Sequence, residues 1–250
     1  MSLTLLVTGA TSGFGDAISR RAVRDGHRVI ATGRRADRLE ALQREMGDAV
    51  LPLALDVTDA EAVAALPGSL PAGWAEVDVL VNNAGLALGI STAQQASVAD
   101  WDTMVATNVS GVIRLTHALL PGMVARDRGH VVNLGSTAGT YPYPGGNVYG
   151  SSKAFVAHFT ANLKADLVGT GVRVTCVEPG LVGGSEFSQV RMGDPDKAAA
   201  VYAGTTPLTP EDVAETVAWV IGLPAHVNIN RVEMMPTCQA PGPLTIKRRG

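Results

Sequence analysis

Aromatic side chains and lysines are scarce in this chain, with 4 tyrosines, 4 phenylalanines, 3 tryptophans and 4 lysines among 250 residues. Cysteine is nearly absent. Cys176 and Cys238 have no metal-type spacing and no export signal accompanies them, so two free thiols are expected rather than a disulfide or a metal site. His117, His130, His158 and His226 also lack ligand spacing, and no metal is expected. There is no excess of positive charge: the formal net charge is −3, and arginines are scattered apart from Arg34 and Arg35 and the terminal Lys247, Arg248 and Arg249. Nucleic acid is therefore not an expected partner. Long apolar runs are missing too. The opening MSLTLLVTGATSGFG has an apolar run only at residues 5–7 and no basic leader, and no window approaches the ~20 apolar residues of a bilayer span. A cytoplasmic protein without a membrane helix is expected.

What remains is an ordinary globular balance, 46% apolar and 17% charged, in a chain long enough to bury roughly three quarters of its unfolded surface. Short β-branched runs recur, each followed by a helical pattern: residues 4–9, 28–33, 49–57, 78–85, 130–136 and 172–180, with a last candidate strand at 230–236. Strands apolar along their whole length, alternating with helices, predict an α/β fold: a doubly wound parallel sheet with right-handed crossovers. No linker divides the chain, so one domain over residues 1–250 is expected. Residues 180–197 read as an irregular active-site loop, within a substrate region at about 180–210. The Pro/Gly-rich tail, residues 239–250, is expected to fray or to pack against a partner subunit.

The first strand runs into Thr8-Gly9-Ala10-Thr11-Ser12-Gly13-Phe14-Gly15, followed by Ala17, Ile18, Ala22 and Val23 at helical spacing. Strand, glycine turn and helix in that order make a phosphate site of the Rossmann type. Glycine permits close backbone approach, and the helix's free amides and positive end attract a pyrophosphate. An NAD-specific site places an acid at the end of the second strand to bind the ribose hydroxyls. Here that place reads Thr32-Gly33-Arg34-Arg35. An acid would repel a 2′-phosphate whereas arginines pair with it, so NADP is the expected cofactor. Two cations opening the next helix oppose its dipole, and a phosphate would compensate them.

Tyr149 lies four positions before Lys153, a spacing expected by chance about 0.06 times in such a chain (4 × 4/250). The apolar spacing of Phe155, Val156, Phe159, Leu163 and Leu167 predicts a helix over 148–168, which stacks the pair one turn apart on one face. A nearby ammonium stabilises a phenolate and makes tyrosine a usable acid or base. Together Thr8-Gly9-xxx-Gly13-x-Gly15, Asn82-Asn83-Ala84-Gly85, Asn108, Ser136, Tyr149-xxx-Lys153 and Pro179-Gly180 resemble the short-chain dehydrogenase/reductase family over essentially the whole chain. The resemblance implies that Tyr149 is the acid/base and that Lys153 holds the nicotinamide ribose and lowers the tyrosine pKa. It further implies that Ser136 bonds the reacting oxygen and Asn108 supports a proton relay through water. Gly9, Thr11, Ser12, Gly13, Phe14, Gly15, Arg34 and Arg35 would cradle the phosphates, and Asp56 and Val57 would flank the adenine. Asn83, Ala84 and Gly85 would lie along the cofactor, and Pro179 to Phe187 would border the nicotinamide, with Pro179, Gly180 and Val182 as cofactor contacts. A homotetramer built on helices at about 100–123 and 148–168 is also implied.

The stretches EPGLVGGSEFSQVR, GGNVYGSSKAF, NNAGLALG and LPAHVNINRVEMMP are closely similar to the NADP-dependent 3-hydroxy acid dehydrogenase subgroup. That similarity implies oxidation of serine, L-allo-threonine and 3-hydroxypropionate, and reduction of malonic semialdehyde. A small acid needs a cation for its carboxylate, and Arg191 is nominated. Asn147 either bonds the substrate or shapes the turn. The alternatives are a reductase of sulfoacetaldehyde, a 3-oxoacyl thioester or another carbonyl compound, and, in a different class, an NADP-sensing binding protein.

Overall fold

The computed structural model describes residues 2–242; residues 243–250 of the tail, including Lys247, Arg248 and Arg249, lie outside the described residues. Seven strands form one parallel sheet in the order β3-β2-β1-β4-β5-β6-β7. They are β1 (Thr4–Thr8), β2 (Arg28–Gly33), β3 (Val50–Ala54), β4 (Val79–Asn82), β5 (Gly129–Leu134), β6 (Val172–Pro179) and β7 (Arg231–Met234). Every residue of β1, β4 and β5 is buried, so these runs are mostly apolar, and their polar members Thr4, Thr8, Asn82, His130 and Asn133 are hydrogen-bonded within the protein. The expected strands overrun the observed ones at residues 55–57 and 83–85, where the chain leaves the sheet to line a cleft.

Helices α1 (Gly13–Arg24), α2 (Ala36–Met46) and α9 (Pro210–Gly222) pack on one face of the sheet; Ile18, Leu39 and Val217 anchor that core. Helices α3 (Ala60–Ser69), α5 (Val112–Ala125) and α6 (Asn147–Asp166) cover the other face through Leu66, Leu115 and Leu163. Helix α4 (Val98–Val105) continues into α5 through a π-helical turn, Ala106–Gly111. The sheet is doubly wound. Its strand order reverses between β1 and β4, and the crevice at the carboxyl ends of those strands is where such folds bind ligands.

The irregular loop expected at residues 180–197 is partly helical. Helix α7 (Phe187–Met192) and the start of α8 (Pro195–Tyr202) fall inside it. Asp194 caps α8 by accepting from the Asp196 and Lys197 amides, and Pro195 sits at its first turn. That Asp-Pro start signal was present in the sequence, but the glycines around it masked it.

Candidate active site

The cleft is about 380 Å³ and is lined by the turn after β1, the ends of β2 and β4, the chain after β3 and β5, helix α6 and the segment before α7. Its glycines are sterically demanded. Gly9 has φ +67° and Gly13 φ +53°, and a Cβ on Gly15 would lie 2.3 Å from the Gly9 carbonyl oxygen. Gly15 is therefore a packing position behind the turn, while Gly9, Thr11, Ser12, Gly13 and Phe14 line the cleft. Thr8 ties β1 to β4: its hydroxyl accepts from the Asn83 and Ala84 amides, and the Asn83 side chain donates to the Thr8 carbonyl at 2.7 Å. Asn83, Ala84 and Gly85 thus line the cleft as a buttressed turn.

At the end of β2 the two expected arginines divide their work. Arg34 is exposed, lines the cleft and takes no hydrogen bond or ion pair among the described residues, while its charge acts on Asp56. Arg35 donates to the Thr11 and Ser12 hydroxyls and pairs with Glu186 at 2.9 Å. Burial pushes the Asp56 carboxyl up, but bonds from the Thr58 amide and hydroxyl, with the Arg34 charge, outweigh it and hold the group below its usual range. Val57 completes that wall. A strand-end turn that only glycine fills, facing an unpaired arginine, fits a dinucleotide whose ribose carries a phosphate.

Tyr149 and Lys153 project from the first turns of α6 into the same cleft, and Ser136 sits just after β5, its oxygen accepting from the Ala138 amide. Burial pushes the Tyr149 phenol up to about 12; the neighbouring Ser136 hydroxyl and the Arg191 charge pull the other way, and the nearby Tyr143 adds to the rise. The Lys153 ammonium donates to the Leu134 carbonyl at 2.7 Å, its own pKa is pulled down to about 8 by burial, and the cation acting on the phenol is Arg191. Asn108 lies in the π turn, a local irregularity common at functional sites. Its amide is engaged with both backbone groups of Leu86, at 2.9 and 2.8 Å, and with the Ser152 hydroxyl at 3.0 Å. Here Asn108 braces the cleft wall.

Beside the tyrosine, the Arg191 guanidinium carbon lies 5.5 Å from the centre of the Tyr149 ring and 5.3 Å from that of Tyr143. Nε bonds the Gly89 carbonyl and Nη2 the Gly145 carbonyl, which leaves Nη1 without a hydrogen bond among the described residues. Asn147 takes the turn-shaping role: it donates to the Ser91 carbonyl and accepts from the Val148 amide. Of the stretch Pro179 to Phe187, expected along the nicotinamide, Ser185, Glu186 and Phe187 line the cleft, while Pro179, Gly180 and Val182 do not. Pro179 ends β6, Gly180 donates to the Met234 carbonyl, and Val182 bridges to Leu208. Val190, beyond the expected stretch, also lines the cleft. Phe187 packs its ring 5.7 Å from that of Tyr149. Sequence reasoning missed Arg38, Tyr143 and the pairing of Glu186 with the arginines because the partners are remote in the chain, Glu186 lying 151 positions from Arg35.

Residues 3–194 match the model of the short chain dehydrogenase family. The chain is 60% identical over 247 residues to an NADP-dependent 3-hydroxy acid dehydrogenase of Salmonella typhi, covering 98% of this chain and 100% of that one. It is 51% identical over 241 residues to a serine 3-dehydrogenase of Agrobacterium fabrum, covering 96% of each. Among solved structures, the closed form of a serine dehydrogenase complexed with NADP+ superposes with a TM-score of 0.95 at 56% identity, covering 99% of this chain and 100% of that one. Sheet order, glycine turn, Tyr149-Lys153 pair and these likenesses agree, and the chain belongs to the short-chain dehydrogenase family.

Proposed function

We propose that the protein is an NADP-dependent dehydrogenase of small 3-hydroxy acids, with serine, L-allo-threonine and 3-hydroxypropionate as substrates and malonic semialdehyde as the substrate in reverse. The observation that carries this reading is Arg191: a guanidinium 5.5 Å from the centre of the Tyr149 ring, with Nη1 uncommitted, one residue beyond Val190 of the cleft wall. A carboxylate seated there holds its C3 hydroxyl within reach of the phenol. The likeness to the Salmonella and Agrobacterium enzymes supports the same substrate class.

Bound in the cleft, NADP+ supplies the hydride acceptor. Tyr149 takes the hydroxyl proton as C3 gives up its hydride, and the Ser136 hydroxyl stabilises charge on the reacting oxygen. Lys153 holds a positive charge beneath the tyrosine, near the backbone of Leu134. Arg34 is the residue for the 2′-phosphate, and Phe187 and Val190 shield the reacting end from water. A cytoplasmic setting accords with the two free thiols.

Two variants test the reading. Tyr149→Phe is expected to abolish turnover while leaving NADPH binding intact; unchanged turnover would take the acid/base role from Tyr149, and an unaltered protein that binds NADPH but turns over none of these substrates would belong to the class of cofactor-sensing binding proteins. Arg191→Met is expected to lower kcat/KM for 3-hydroxypropionate about a hundredfold, the cost of losing a desolvated charge pair, with little change on an uncharged alcohol of the same size. An equal loss on both substrates would refute the carboxylate role.

A further inference from the structure

Glu186 belongs to the segment that follows β6, yet its carboxylate lies in the cation cluster at the end of β2. Oε2 accepts from Arg35 Nη1 at 2.9 Å and Oε1 from Arg38 Nη1 at 2.8 Å. Both arginines are also bonded to Thr11, through its hydroxyl and its carbonyl, so the carboxylate is joined to the glycine turn through two guanidinium groups. The residues around Glu186 make the same crossing. The Ser185 Cβ lies 3.2 Å from where a Cβ on Gly13 would stand, and Phe187 packs on Tyr149. Residues 185–191 therefore span the cleft, from the turn beneath the diphosphate to the catalytic tyrosine.

A carboxylate among arginines meant for a phosphate opposes that phosphate unless it does something else. The cluster retains a positive balance, because Arg34 faces the cleft unpaired while Arg35 and Arg38 share the one acid. The pairing also holds the Glu186 carboxyl below its usual range, through Arg38 first and Arg35 second, so it is ionised near neutrality.

We propose that Glu186 is a positioning residue for the dinucleotide: its paired bonds to Arg35 and Arg38 clasp residues 185–191 across the cleft and slow the release of bound cofactor, leaving Arg34 for the 2′-phosphate. This rests on reading the cleft as a nicotinamide dinucleotide site. The clasp acts on the segment over the diphosphate, so it retards NADPH and NADH alike. A carboxylate that instead competed with the 2′-phosphate for Arg35 would weaken NADPH alone.

Arg38 separates the two, because it does not line the cleft and its loss removes one arm without touching the ligand. The measurement is stopped-flow displacement of NADPH and of NADH from the full chain, followed by nicotinamide fluorescence. Arg38→Gln and Glu186→Gln are each expected to speed release of both nucleotides by a similar factor, about three- to tenfold for cooperating ion pairs that are individually weak. The double variant should be no faster than Glu186→Gln alone, and Arg38→Lys should restore slow release. Unchanged release in Arg38→Gln, or slower release confined to NADPH in Glu186→Gln, overturns the clasp. A wild-type protein that binds neither nucleotide overturns the dinucleotide reading, and the clasp with it.

Discussion

Tyr149 is 8% exposed, and that burial sets the terms for its neighbours, because a desolvated phenol resists ionisation. Two groups counter it directly, the Ser136 hydroxyl and the Arg191 charge, and Arg191 comes from a helix 42 positions away in the sequence. The Tyr-Lys spacing announces a paired phenol and ammonium but does not reveal Arg191, nor that the Lys153 ammonium donates to the Leu134 carbonyl. His130 is a second buried titratable group, away from the chemistry. Burial chiefly, with the Arg173 charge, pulls its pKa down to about 3, and its Nε2 meets the Thr175 hydroxyl at 2.8 Å. Between the unfolded value near 6.5 and 3 the unfolded chain takes up a proton that the folded one refuses, so stability falls as pH falls through that window. Denaturant unfolding from pH 6.5 to 4 is expected to lose up to about 1.4 kcal/mol per pH unit through this group. A His130→Gln variant should show a correspondingly shallower decline, and an identical slope in variant and wild type would exclude His130 as the source.

The helices carry a second layer of information. Val105, Ile113 and Val124 on the continuous α4–π–α5 helix, and Phe155 on α6, are exposed although large and apolar. Phe155 stacks on Phe159 at 5.8 Å, and these are the two helical segments on which the expected tetramer would be built. We propose that these faces pair between subunits. Light scattering is expected to give four copies of the 25.8 kDa chain, and Phe155→Glu with Ile113→Glu should shift the population toward smaller species; a wild-type monomer at micromolar concentration contradicts the assignment. At this scale the sequence was a good guide. Strands such as residues 28–33 were legible because a sheet covered on both faces demands unbroken apolar runs, and the helix carrying Tyr149 because its apolar side chains recur with helical period. Residues 180–197 were less legible, since short helices behind glycines carry too few turns to set a period.

The whole molecule assembles its site by bringing the ends of distant elements to the point where strand order reverses, between β1 and β4. Residues within one element or one turn, such as Gly9, Gly13, Tyr149 and Lys153, could be assigned from spacing alone. Arg35, Arg38 and Glu186 could not be joined that way, because the sheet's crossovers decide their meeting. On the proposed reading two arginines fix the ligands, Arg34 on the cleft wall for the cofactor and Arg191 beside Tyr149 for the substrate. The most direct test takes both at once: initial rates with NADP+ and with NAD+ on serine, L-allo-threonine and 3-hydroxypropionate. The account predicts turnover of these acids with NADP+ favoured by about tenfold or more, the worth of one additional charge-assisted pair. A preference for NAD+, or turnover only of uncharged alcohols or acyl thioesters, would contradict it.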